Sequence, residues 1–205
     1  MHLSTLLPLL PLAAASRSAK RGLPFVSNKE HPSDNAVWVQ KGSSLTWYYN
    51  YHDVPSTAFA GISQEKVEFV PMMWGVDTSN PEDSGFLGKV EAMISDSVNI
   101  THALSFNEPD VDSDDGGAEI EPDVAAKAWV ANFEKLAEQG VEVGLPACSG
   151  RPGSLQWLLD FVEECAELVS EGEDKKKNCT WNFLPVHWYG DFDGLASHIG
   201  DRLEA

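Results

Sequence analysis

The sequence predicts an α/β chain of the (β/α)8 TIM-barrel type, incomplete, with about six βα units present and strands seven and eight missing. Three observations predict this. Short runs rich in β-branched and aromatic residues alternate with longer segments of helical periodicity, the pattern of a parallel sheet under helical cover. The runs end in polar or aromatic clusters, as strands do where their C-terminal ends build a site. The rhythm then stops after the sixth run, with only Gly194 to Ala205 left for one more helix. An open doubly wound sheet is the structural alternative, but no glycine fingerprint for a nucleotide follows the first strand.

In chain order, the expected strands are Arg21–Val26, the aromatic Leu45–Asn50, Val67–Trp74, Ala103–Asp110, Val141–Pro146 and Phe183–Tyr189. Two helices are legible between them. From Asp123 to Gln139, Ala125, Trp129, Phe133 and Leu136 fall on one face, with Pro122 at the start and Gly140 just past the end. From Ser154 to Val169, Leu155, Leu158, Leu159, Val162, Ala166 and Val169 do the same.

Residues 1–15 stand apart from the fold. A short apolar core, Leu6-Leu7-Pro8-Leu9-Leu10-Pro11-Leu12, precedes Ala13-Ala14-Ala15, the small residues a signal peptidase needs. The run is shorter than the roughly 20 apolar residues of a membrane span. A cleaved secretory signal and one catalytic-sized domain over 20–205 are expected, in a secreted protein of the extracellular space or cell wall. The net charge of −18 excludes nucleic acid and anionic membrane as partners, because phosphate binding requires Lys and Arg.

Three cysteines suit an oxidising compartment with one bridge and one spare. Cys165, near a helix end, and Cys179, just before a strand, flank the polar stretch Ser170–Lys177 that a disulfide would close; Cys148 is left as the free thiol. Asn99-Ile100-Thr101 and Asn178-Cys179-Thr180 are glycosylation sequons. Seven Trp offer flat faces for sugar rings, although their default use is core packing.

The chemistry concentrates in Ala103-Leu104-Ser105-Phe106-Asn107-Glu108-Pro109-Asp110. Pro109 forbids the strand from continuing, so Glu108 is presented at a strand end beside an amide. A carboxylic acid so placed can protonate a leaving oxygen while the Asn holds a neighbouring hydroxyl. The acidic run from Asp110 to Glu121 nearly spells a calcium loop, but Gly116 falls one place late and no helix pair flanks it. His187 has no second His or Cys at ligand spacing, so no metal and no cofactor are expected.

Lys20-Arg21-Gly22-Leu23, Trp47-Tyr48-Tyr49-Asn50, Phe69-Val70-Pro71-Met72-Met73-Trp74-Gly75, Phe106-Asn107-Glu108-Pro109-Asp110 and Val186-His187-Trp188-Tyr189-Gly190 run in order along the chain. Together they resemble glycoside hydrolase family 128, the fungal alkali-sensitive-linkage-protein-like β-1,3-glucanases, in a C-terminally truncated form. The resemblance implies a retaining endo-type β-1,3-glucan hydrolase acting on cell-wall glucan, with Glu108 as general acid/base and Asn107 at the sugar 2-hydroxyl. It further implies that Trp47, Trp74, His187, Trp188 and Tyr189 bind substrate, in a protein monomeric when full length. The family's nucleophile on strand seven has no counterpart here; Asp191 and Asp193 are the carboxylates that follow strand six. The alternative is a non-catalytic, wall-associated β-glucan-binding protein using the same aromatic platforms.

Overall fold

The computed structural model describes residues 20–205, and the signal-peptide expectation for residues 1–15 lies outside them. Its centre is a parallel sheet in which each strand pairs with the next in sequence. Strand β1 (Gly22–Pro24) pairs with β2 (Trp47–Tyr49), with Gly22 opposite Trp47, and β2 pairs with β3 (Glu68–Phe69). A second parallel pair joins β4 (His102–Ala103) to β5 (Glu142–Val143). The two pieces are stitched by a parallel bridge between Met72 and Leu104, and a further bridge from Gly144 to Phe183 adds a sixth extended segment. The order therefore runs 1 to 6 without reversal, which is not the order of a doubly wound sheet.

Five of the six expected strands form, each regular only over two or three residues, and the sixth is represented by the single bridge at Phe183. Helix α1 (Gly85–Ser95) was not among the helices read from sequence. It holds Gly85 and Gly88, and its cap residue Ser84 makes no side-chain capping bond, so the usual start signals are absent. Helices α2 (Pro122–Glu138) and α3 (Ser154–Ser170) agree with expectation to within a residue at each end. Pro122 occupies the first turn of α2, where its missing N–H costs nothing, and Gly140 beyond the end takes φ +87°. Helix α4 (Phe192–Glu204) closes the described chain.

The core lies between the sheet and α1–α3. Trp129 and Phe133 of α2 stack at 4.7 Å, and Trp129 meets Phe161 of α3 edge-on at 5.5 Å. All three rings are fully buried, and burying a Phe contributes roughly 1.5–3 kcal/mol. Asn132 is equally buried: its side chain accepts from Leu87 N–H and donates to the Asp83 and Ala128 carbonyls, which fastens α2 to the start of α1. The Cys165–Cys179 disulfide forms, with Cα atoms 5.9 Å apart, and Cys148 is the free, buried thiol. Burial pushes that thiol well above its usual range, which leaves it protonated. No helix among the described residues is long and apolar enough to cross a membrane.

Candidate active site

Strand four ends in a fixed turn. Asn107 N–H donates to the Trp74 carbonyl, and Glu108 N–H donates to the Ala147 carbonyl, so the motif is held between its two neighbouring strands. At Glu108 the backbone turns left-handed, φ +44°, a conformation that costs a non-glycine residue about 1–2 kcal/mol. Such strain persists only where the surroundings impose it. They do so here. The Glu108 carbonyl accepts from Val111 and Ala118 N–H, and Pro109 is buried. Gly117 presses so close that a Cβ there would stand 2.6 Å from the Glu108 carbonyl oxygen and 2.2 Å from that of Val111. The Asp110 carboxylate accepts from both the N–H (2.8 Å) and the hydroxyl (2.5 Å) of Ser149, tying this loop to the end of strand five.

The Glu108 side chain meets His187 from strand six, with Nδ1 2.8 Å from Oε1. Both side chains are mostly buried, 17% and 23% exposed. His187 also lines a groove of about 330 Å³ with Trp47, Tyr49, Met72, Leu104 and Phe183. Burial, and then a hydrogen bond with Tyr51, raise the Tyr49 hydroxyl's pKa, so Tyr49 stays a neutral donor. The groove thus runs along the strands, with the Trp47 indole at the N-terminal end of β2, the Tyr49 phenol at its C-terminal end, and the His187 imidazole linking it to Glu108. Asn107, next to Glu108 in sequence, is buried, 7% exposed.

Trp74 lies in a neighbouring cleft of about 290 Å³ with Tyr51, His52, Asp53 and Lys89, its ring 38% exposed. Lys89 Nζ pairs with Asp53 at 2.6 Å across that cleft. Tyr49, Tyr51, Asp53 and Lys89 were not singled out from sequence; Tyr49 stood inside a quoted motif, but nothing local marks Lys89.

Trp188 is placed elsewhere. Its indole N–H donates to the Asp191 carbonyl, its ring lies 5.2 Å from that of His198 on α4, and a Cβ on Gly194 would stand 2.3 Å from it. It lines a separate depression between the starts of α3 and α4, away from the groove of Glu108 and His187. His187 and Trp188, though adjacent in sequence, therefore line different depressions. Tyr189 is 91% exposed. Asp191 caps α4 by accepting Gly194 N–H at 2.8 Å, and Asp193 lies in the first turn of that helix.

In the acidic loop, Ser113–Asp115 forms a 3-10 turn; Glu119 accepts from Ser113 N–H and Asp115 pairs with Arg151. The one cluster of metal-ligand types among the described residues is Glu134, Cys165 and Cys179, whose two sulfurs are bonded to each other. Glu134 there accepts from Trp129 Nε1 and Thr180 N–H.

Residues 22–205 match the model of the glycosyl hydrolase catalytic core family. The chain belongs to this family. Among solved structures, it is similar to a family 128 subgroup III curdlan-specific exo-β-1,3-glucanase from Blastomyces gilchristii (27% identity, TM-score 0.65), with 89% of this chain covering 68% of that one. It is similar to a subgroup I endo-β-1,3-glucanase from Amycolatopsis mediterranei, solved with laminaripentaose (25%, TM-score 0.53; 89% of this chain, 64% of that). It also resembles in fold a subgroup VII oligosaccharide-binding protein from Trichoderma gamsii (20%, TM-score 0.56; 95% of this chain, 65% of that). The chain therefore spans about two thirds of the length of these structures, and the resemblance to family 128 read from its motifs holds. No curated protein matches the sequence.

Proposed function

We propose that this glycosyl hydrolase family member hydrolyses β-1,3-glucan outside the cell or in the cell wall, with retention, and that Glu108 is its general acid/base. The observation that carries the reading is the Glu108–His187 contact at the mouth of an aromatic groove. His187 Nδ1–H donates to one carboxyl oxygen and fixes the rotamer, so the other is presented to the glycosidic oxygen. Glu108 protonates that oxygen as the bond breaks and then takes a proton from the attacking water in the second step. Asn107 serves the sugar 2-hydroxyl, and Trp47 and Trp74 offer faces to neighbouring sugar units.

Retention needs a second carboxylate about 5 Å from the first. Asp110 accepts two bonds from Ser149 and Asp191 accepts one from the first turn of α4, so both carboxylates already serve structural roles. We assign the nucleophile to a further strand of a (β/α)8 barrel of which the five described strands and the segment bridged at Phe183 are the first six. Their unbroken parallel order supports this, as does the greater length of the similar structures. The working protein is a monomer on this reading.

The rival reading is a glucan-binding protein without turnover, which the oligosaccharide-binding relative and the engaged aspartates favour. One experiment separates the two. Glu108→Gln should lower laminarin hydrolysis on the order of 10²–10⁴-fold and leave laminari-oligosaccharide affinity within about threefold. Turnover within a few fold of wild type would remove Glu108 from the chemistry. Binding by the wild type with no turnover would favour the rival.

A further inference from the structure

The two sequons occupy the same end of the sheet, the one opposite Glu108. Asn99 stands three residues before β4, and Asn178 precedes the sixth extended segment, whose first inter-strand bond is Asn182 N–H to the Val143 carbonyl. Strand direction is shared throughout the sheet, so both asparagines lie at N-terminal strand ends while Glu108 and His187 lie at C-terminal ones. Nine residues of extended chain separate Asn99 from Glu108, roughly 25–30 Å at about 3.3 Å each. Both asparagines are exposed.

Folding fastens the rest of each sequon. Thr101 Oγ1 donates to Glu68 Oε1 and lies 2.7 Å from His102 Nδ1, and its carbonyl accepts from Glu142 N–H. In the second sequon the middle residue is itself Cys179, bonded to Cys165 and 8% exposed, while Thr180 N–H is held by Glu134 Oε1 at 2.6 Å. Lys177 N–H, one residue before Asn178, is held by Ser170 Oγ. A transferase must draw the acceptor amide and the hydroxyl two residues on into one active site, which requires a pliable backbone. The bridge removes that pliability at Asn178.

We propose that this end of the molecule is a glycan-bearing face. Asn99 and Asn178 are N-glycosylated, and Asn178 accepts its glycan only before Cys179 closes onto Cys165. The donor is a lipid-pyrophosphate-linked oligosaccharide. The asparagine Nδ2 attacks the anomeric carbon, a C–N bond replaces the C–O bond, the lipid pyrophosphate departs, and one amide proton passes to a base of the transferase. The competing step is thiol–disulfide exchange with an oxidised dithiol carrier, which leaves carrying both electrons as its dithiol. The glycans stand clear of the groove, so oligosaccharide affinity is the same with and without them.

This inference rests on the proposed secretion and is independent of hydrolysis. The test is expression of the full chain in yeast, with site occupancy measured by peptide mapping on all membrane-enclosed, protease-protected chains, folded or not. Wild type should carry a glycan at Asn99 and a partial one at Asn178. Cys165→Ser, which leaves the sequon intact, should raise Asn178 occupancy at least twofold and leave Asn99 unchanged. Dithiothreitol added to the wild-type culture should do the same without any substitution. Partial Asn178 occupancy that stays equal with and without the bridge, or a glycan gained at Asn178 by chains whose bridge is already closed, would overturn the ordering. Protected chains bare at both sites would overturn the glycan-bearing face alone, whereas chains open to protease in the cytosol would overturn secretion along with it.

Discussion

The two ends of the sheet carry the same chemical pair. At the C-terminal ends, His187 Nδ1 stands 2.8 Å from Glu108; at the N-terminal ends, His102 lies between Glu68 at 3.4 Å and Glu142 at 3.2 Å. The surroundings differ. Glu68 is 23% exposed, like His187. The His102 side chain, however, is 41% exposed and Glu142 59%, so water reaches the imidazole and screens the contact, and exposed pairs contribute about 0–1 kcal/mol. Glu108 and His187 are 17% and 23% exposed, and Glu108 is aimed by a left-handed backbone that three neighbouring segments hold in place. A histidine beside a carboxylate is therefore no sign of a site in itself. The imposed backbone and the groove distinguish the two.

The comparison breaks first at His187. His187→Ala should lower laminarin turnover on the order of tenfold to a hundredfold, mainly in kcat, because Glu108 keeps its acid but loses its fixed direction. Steady-state kinetics read this, and unchanged kcat would make the contact incidental.

The next test sets Cys165→Ser against the groove. Loss of the bridge, whose cysteines are 14 residues apart in sequence, should cost about 3 kcal/mol in the chain-entropy model and leave kcat per folded molecule unchanged. Chemical denaturation against activity separates these effects, and a parallel loss of kcat would show that the two ends are coupled. A smaller effect divides the tryptophans. Trp74→Ala should weaken laminari-oligosaccharide binding several-fold with little change in melting temperature. Trp188→Ala should lower melting temperature and leave affinity alone. Calorimetry on both variants checks this, and reversed outcomes would return Trp188 to the groove. Smallest of all, His102→Gln should change stability by no more than about 0.5 kcal/mol and activity not at all. A large loss of turnover there would erase the distinction between the ends.

Much of this was legible in the sequence because the signals were local. Pro122 and Gly140 bracket α2, and the Asn-Glu-Pro-Asp turn reads as a strand end since Pro109 allows nothing else. The disulfide was legible because a polar loop separates two cysteines on neighbouring elements. What escaped was non-local or masked. Helix α1 hides behind two glycines and an unused cap. Lys89 reaches the Trp74 cleft only from α1, distant in sequence from the Asp53 it pairs with there. The His187-Trp188-Tyr189 cluster looked like one lining surface as a string of letters, but only His187 lines the groove with Tyr49, while Trp188 turns to the depression beside α4. The positive φ of Glu108 also has no sequence mark, since such a conformation is the signature of glycine rather than glutamate.

The unbroken order of the sheet has a consequence for how the chain comes to be built. From β2 to the sixth extended segment, each newly made strand finds the strand before it already in place. In the closed barrel proposed above, only the outer edge of β1 waits for a late partner. Loop-closure entropy is met in a series of short steps, each a strand, a crossover and a return. Assembly can follow synthesis from the N-terminus, with β1, β2 and β3 in register before the residues of β4 are translated. Cys179 arrives late in that sequence, after α2 and α3 are complete, and its bond to Cys165 fixes a layer that is already in place.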